Sequence, residues 1–191
     1  MKVIGVVGDI GSGKDEVLKY LRSKYGIPYI ATGDIVRQEA EREDKEPTRE
    51  NLQIISQRCF EQYGKGCFVR MAAEEIVSRG WKVSGISGVR SPDDVEIMRQ
   101  ALGKDFVLVR VDVTEPETRF ERIRLRKEER DPQTFEQFLS QDRKERELFR
   151  LDKTGSLADF VVNNDGTLQD LHHQVEELVA STHLLDNPAA L

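Results

Sequence analysis

Apolar positions along the chain follow two rhythms. Val3-Ile4-Gly5-Val6-Val7 and the stretch from Phe106 to Val113 are continuous and rich in β-branched residues, the pattern of strands buried on both faces. Val17, Leu18 and Leu21 instead recur at helical spacing and predict an amphipathic helix over 15–25. The same reading predicts strands at 2–8, 28–31, 81–86, 106–113 and 159–162. Helices are predicted between them. Thr32-Gly33-Asp34 opens one that runs to about 43, before a polar, solvated stretch at 41–46. Pro47-Thr48 starts another, carrying Leu52, Ile55 and Cys59 on one face. Gly64-Lys65-Gly66 ends it, and a helix over 68–78 follows. Ser91-Pro92-Asp93-Asp94 is a strong helix start, with a cap, a proline in the first turn and acids facing the dipole. Thr114-Glu115-Pro116 opens the next helix, which Asp131-Pro132 interrupts. Thr134 caps one to about 150, and the last helix spans 168–180, with a frayed tail after 182. Strands alternating with helices predict an α/β fold with a parallel sheet.

At 191 residues the chain suits one domain, and 38% hydrophobic with 34% charged residues supplies one core inside a charged surface. The net charge of −6 argues against broad binding to nucleic acid. The first apolar run is too short to span a membrane and reads as a buried strand, so a cytoplasmic protein is expected. Cys59 and Cys67 lack metal-ligand spacing and read as reduced thiols. The adjacent His172 and His173 point to different sides of a helix and read as surface residues.

Directly after the first strand comes Gly8-Asp9-Ile10-Gly11-Ser12-Gly13-Lys14-Asp15, which has Walker A spacing with Gly8, Gly13 and Lys14 in register. The glycines let the backbone curl so that successive N–H groups face a phosphate, and the helix that follows adds its positive end. The Lys14 ammonium would bridge the β- and γ-phosphates of ATP. Strand, loop and amphipathic helix stand in the required order, which makes the motif specific. It departs from the usual pattern in one respect. Asp15 stands where a Ser or Thr normally binds Mg²⁺, and Ser87 stands where the third strand normally ends in an acid. One hydroxyl and one carboxylate have exchanged places, so Asp15 and Ser87 are expected to face one Mg²⁺ through bound waters. The residues alone also allow Asp15 simply to complement the helix N-terminus.

Thr32-Gly33-Asp34-Ile35-Val36-Arg37 resembles the Thr-Gly-Asp-x-x-Arg segment of adenylate kinases, and the chain as a whole resembles the nucleoside monophosphate kinases. The resemblance implies that Thr32, Gly33, Asp34 and Arg37 border the acceptor, with Arg37 holding its phosphate. Gly88-Val89-Arg90 resembles a second arginine-bearing segment of that family, without its acid and proline and one residue shorter. Arg90 is the corresponding acceptor ligand. A guanidinium fork matches two phosphate oxygens, and the carboxyl ends of parallel strands are where ligands bind. Arg119, Arg122, Arg126 and Arg130 form a helical stripe. In the family, arginines after the fourth strand close over ATP as a lid, which makes Arg122, Arg126 and Arg130 the candidate catalytic residues beside Lys14. Interleaved Glu121, Glu128 and Glu129 fit an ordinary ion-pair face as well. Arg143 and Arg146 lie on the following helix. The segment from Ala158 to Leu168 resembles the C-terminal part of dephospho-CoA kinases, which implies that Asn164 and Gly166 line the adenine; turn chemistry also explains Asn164-Asp165-Gly166.

The resemblance covers about residues 1–180. It implies a P-loop NTPase fold of the nucleoside monophosphate kinase type, a five-stranded parallel sheet with flanking helices. Within one domain over 1–191, the core is 1–33, 81–118 and 147–180, an acceptor-binding helical insert occupies about 34–80, and a small lid about 119–146. The implied activity is transfer of the γ-phosphoryl group of ATP, with Mg²⁺, to a nucleotide-like small molecule, in a monomer or small homo-oligomer. A (deoxy)nucleoside monophosphate is the expected acceptor. A dephospho-CoA kinase, with Asp34 as base toward a ribose hydroxyl, and a nucleotide-binding regulator of little turnover are the alternatives.

Overall fold

The central strand, β1 (Lys2–Val7), is buried along five of its six residues and divides the core in two. Val3 and Val7 face one apolar cluster, and Ile4 and Val6 face the other. The computed structural model describes residues 1–126 and 131–185, apart from the Arg49 side chain. After β1 come α1 (Lys14–Tyr25), β2 (Tyr29–Ala31), α2 (Thr32–Arg42), α3 (Arg49–Tyr63), α4 (Cys67–Ser78) and β3 (Val83–Ser87). Then follow α5 (Pro92–Leu102), a short 3-10 turn (Gly103–Asp105), β4 (Phe106–Asp112), α6 (Pro116–Arg126), α7 (Phe135–Phe149), α8 (Leu151–Ser156), β5 (Phe160–Asn163) and α9 (Leu168–Ser181).

The five strands lie in the order β2-β3-β1-β4-β5, and every neighbouring pair is parallel. Val3 of β1 pairs with Ser84 of β3 on one side and with Phe106 of β4 on the other. The chain passes first to one side of β1 and later to the other. The carboxyl end of β1 is therefore a topological switch point, the place where open parallel sheets bind ligands. One side of the sheet carries α1 and α9, with Val17, Leu18, Leu21, Leu171 and Val175 in contact with Ile4, Val6 and Val109. The other carries α2 to α5, through Val36, Ile55, Ala72, Ile76 and Met98.

The capping residues read from the sequence act as expected. Thr48 accepts from the Asn51 N–H, and Ser91 and Thr134 form reciprocal capping boxes with Asp94 and Gln137. Several boundaries differ by one or two residues. The first helix begins at Lys14, one residue earlier than predicted. The third strand begins at Val83, not at 81, and Trp81 lies before it under the Arg79 guanidinium, 4.9 Å from ring centroid to carbon. The seventh helix stops at Phe149 because Arg150 takes the left-handed conformation (φ 51°), and the unpredicted α8 follows.

No helix among the described residues is long and apolar enough to cross a membrane. Cys59 and Cys67 are free and buried. His172 stacks on Tyr20 at 3.7 Å.

Candidate active site

The loop between β1 and α1 is held in its curl by its own backbone and by three other elements. Gly11 and Gly13 have φ of 76° and 83°, a region open to glycine and costly for other residues. The Ser12 N–H donates to the Asp9 carbonyl at 3.1 Å and the Glu16 N–H to the Gly13 carbonyl at 2.9 Å. From β4, the Val111 carbonyl approaches Gly8 so closely that a Cβ there would lie 2.5 Å from it. From the turn after β5, the Asn164 amide donates to the Ser12 carbonyl at 2.8 Å. From α6, Arg119 donates to the Ile10 carbonyl at 3.1 Å. The Ser12 hydroxyl is buried and has no hydrogen-bond partner among the described residues.

Lys14, the first residue of α1, rests its ammonium 3.3 Å from the Asp9 carbonyl. Burial pushes its pKa below the usual lysine value, and the nearby Arg90 guanidinium pushes the same way, while Asp15 opposes them. A half-desolvated cation at the positive end of a helix is an arrangement awaiting an anion. Beside it the Ser87 hydroxyl, at the end of β3, donates to the Asp15 carboxylate at 2.6 Å. The two residues expected to face one metal ion are thus in direct contact. Together they offer hydroxyl and carboxylate oxygen, the donor set that Mg²⁺ takes. Among the described residues no group of three or more His, Cys, Asp or Glu side chains gathers to hold a metal.

Asp9 departs from the sequence reading. Its main chain lies in the loop, but its carboxylate turns to α7 and accepts from Arg146 at 3.1 Å. Burial pushes its pKa up against the opposing pull of Arg146 and Arg119. Arg146 also donates to Asp152 of α8. One turn earlier on α7, Asp142 receives both Arg119 amino groups, at 2.6 and 2.9 Å. The Arg119–Asp142 pair is buried, with side-chain exposures of 5% and 9%. Arg119, Asp142, Arg146 and Asp9 therefore close a ring of charge that runs from the phosphate loop through α6 and α7 back to the loop. α7 also lines a groove of about 410 Å³ with Leu139, Arg143 and Glu147, beside Asp142, Arg146 and Asp152.

The arginine stripe of α6 divides into unlike members. Arg119 is structural, clamped under Phe138 with its guanidinium carbon 5.2 Å from the ring centroid. Arg122 donates to the Asn164 carbonyl at 2.7 Å, and its other terminal nitrogen is buried without a hydrogen-bond partner among the described residues. Arg126 pairs with Asp131. Arg130 lies outside the described residues. Phe120, Phe135 and Phe138 pack α6 against α7 with ring centroids 5.5 to 6.0 Å apart.

On the acceptor side, Thr32 and Gly33 begin α2, and Asp34 and Arg37 one turn apart form an exposed ion pair. The first residue of α2 touches the β3–α5 loop. Gly88 (φ 100°) faces Thr32 so closely that a Cβ would lie 1.9 Å from the threonine hydroxyl. Arg90 is exposed, with its guanidinium carbon 5.3 Å from the centroid of the Phe149 ring. Asn164 is buried, its amide and carbonyl occupied by Ser12 and Arg122. Gly166 makes room for Asp170, whose carboxylate caps α9. Sequence reasoning missed Asp142 and Asp152 and the clamping role of Arg119. The spacing of 142 and 146 shows that they share a helix face, but not that the face meets the phosphate loop.

A phosphate loop at the switch point of a five-stranded parallel sheet defines a P-loop protein of the kinase-like class. Solved structures with this fold include a shikimate kinase from Bacteroides thetaiotaomicron, with TM-score 0.58 and 17% identity over 96% of this chain and 99% of that one. A gluconokinase from Sinorhizobium meliloti has TM-score 0.57 and 15% identity over 95% of each chain. The chain belongs to the AAA domain family, whose model matches residues 7–138, and to the UPF0200 proteins. It is 34% identical to the member from Pyrococcus horikoshii over 93% of this chain and 96% of that one, and 38% identical to the member from Hyperthermus butylicus over 93% of each.

Proposed function

We propose that the protein transfers the γ-phosphoryl group of ATP to a small molecule, and that the acceptor is a (deoxy)nucleoside monophosphate. The observation that carries this reading is the Lys14 ammonium at the N-terminus of α1, 3.3 Å from the Asp9 carbonyl, inside a loop bent at the left-handed Gly11 and Gly13. The main chain of residues 8–15 binds the triphosphate. Lys14 offsets charge as the phosphoryl group moves. Arg122, with a buried nitrogen still lacking a partner, adds positive charge on the ATP side. Asp15 and Ser87 would hold Mg²⁺, which when bound neutralises phosphate charge and orients the terminal phosphates.

Arg37 and Arg90, both exposed at the carboxyl edge of the sheet, hold the acceptor phosphate. A phosphate acceptor is already ionised and needs no base. Ring members Arg119, Asp142 and Arg146 tie the two ends of the proposed 119–146 lid to each other and to the phosphate loop. A second reading, transfer to a hydroxyl, is favoured by one feature. The Asp34 carboxylate is 59% exposed in the first turn of α2 and is free to take a hydroxyl proton once Arg37 turns to another anion.

The test is to incubate the protein with ATP·Mg²⁺ and a panel of nucleoside monophosphates, deoxynucleoside monophosphates, dephospho-CoA and polyol acceptors, and to measure ADP. Stimulation by monophosphates supports the first reading and stimulation by hydroxyl acceptors alone the second. Tight ATP binding with no stimulation by any acceptor supports a nucleotide-binding regulator instead.

A further inference from the structure

A loop built to receive a triphosphate carries an ionisable carboxylate on its second residue, and this charge needs an explanation. The Asp9 carboxylate is largely buried, with 18% side-chain exposure, within the same loop whose carbonyl holds the Lys14 ammonium. An uncompensated negative charge there repels an incoming triphosphate. Two of the cations around it are committed elsewhere. Arg119 is taken by Asp142 and the Ile10 carbonyl, and Arg110 by Asp112 at 2.8 Å. Among the described residues, Arg146 is the one side chain that hydrogen-bonds the Asp9 carboxylate. Arg146 is itself fixed to α7, where Asp142 one turn away is locked to α6, and its second amino group is held by Asp152 of α8.

We infer that Asp9 is a positioning residue that makes nucleotide binding at the phosphate loop depend on the docking of α7 through Arg146. With Arg146 in place, the Asp9 charge is compensated, and the loop N–H groups and Lys14 receive the phosphates. With α7 displaced, the bare carboxylate opposes them. The loop thus registers whether the helix that lines the neighbouring groove is seated. Arg146 acts on the nucleotide through Asp9, not by touching it.

This inference rests on the proposed nucleotide site, and a double-mutant cycle separates the two. ATP·Mg²⁺ affinity is measured by calorimetry for the wild type, Arg146→Gln, Asp9→Asn and the double variant, with urea unfolding of each to show that the fold persists. Arg146→Gln is expected to weaken ATP binding by about tenfold or more when Asp9 is present and by less than about threefold in the Asp9→Asn background. Asp9→Asn alone binds ATP at least as tightly as the wild type, and Arg146→Lys, which keeps the charge, loses less than Arg146→Gln. Should Arg146→Gln fail to fold, Arg146→Lys is compared in the two backgrounds in its place. An equal loss in both backgrounds means that Arg146 touches the nucleotide directly and overturns the inference. Weaker ATP binding by Asp9→Asn overturns it as well. A wild type without ATP affinity removes the proposed function and this inference together, whereas intact ATP affinity with a flat cycle removes this inference alone.

Discussion

The Ser87 hydroxyl donates a 2.6 Å hydrogen bond to the Asp15 carboxylate, joining the end of β3 to the first turn of α1 across 72 residues of sequence. In the usual P-loop arrangement a hydroxyl stands after the lysine and an acid on the neighbouring strand. Here the same two functional groups meet at the same place from opposite sides. The pair keeps one hard carboxylate and one hydroxyl beside Lys14, which is what Mg²⁺ bound to a triphosphate requires.

Asp15→Asn is therefore expected to raise the Mg²⁺ concentration needed for half-maximal ATP binding by about tenfold or more. The exchange double variant Asp15→Ser/Ser87→Asp is expected to recover most of it. Calorimetric titration of ATP at a series of Mg²⁺ concentrations reads both. An unchanged metal requirement in Asp15→Asn would leave Asp15 with a helix-terminal role only.

Lys14 carries a cost in the resting fold. Its folded pKa lies below the unfolded value of 10.5 because burial penalises the ammonium. The penalty is present in full below the folded pKa, shrinks as pH climbs from there toward 10.5, and is gone well above 10.5, where both states are neutral. Lys14→Met should therefore melt at a higher temperature than the wild type at pH 7, with the difference shrinking as pH rises toward 10.5. Thermal unfolding across that range checks it, and a variant less stable at neutral pH contradicts it.

The buried Arg119–Asp142 pair should resist single substitutions poorly. Arg119→Met leaves Asp142 buried without its partner and is expected to cost about 3–5 kcal/mol. Arg119→Met/Asp142→Leu removes both charges and should cost clearly less. Urea unfolding of the three proteins decides it. Equal losses in the single and double variants would show that packing, not charge pairing, governs this junction.

Asn164 ties the turn after β5 to the phosphate loop through a buried hydrogen bond to the Ser12 carbonyl. Asn164→Ala leaves that carbonyl without this donor and should lower stability by about 1–3 kcal/mol. It should also weaken ATP binding, since the curl of the loop loses a brace. ATP affinity that stays at the wild-type value while stability falls would confine Asn164 to the fold.

The sequence makes much of the sheet legible because strands such as β1 and β4 are short apolar runs and several helix starts are marked by a capping residue, as at Thr48, Ser91 and Thr134. α8 is not legible. Its six residues include Gly155 and show no apolar period, and it exists because Arg150 turns left-handed and the chain folds back beside Arg110. The phosphate loop is readable because its chemistry is local. The charge ring is not, since Asp9, Arg119, Asp142 and Arg146 come from three separate segments and meet only through the tertiary fold. For the same reason Arg119, Arg122 and Arg126 look equivalent on one helical stripe, yet one is buried in an ion pair, one braces Asn164 and one pairs near the surface.

All of these roles depend on the anion pocket around Lys14. Calorimetric titration of the wild type and Lys14→Met with ATP·Mg²⁺ addresses that pocket directly. Saturable binding to the wild type, weakened by about tenfold or more in Lys14→Met, is the predicted result. No binding to the wild type, or equal affinity in the two proteins, would contradict it.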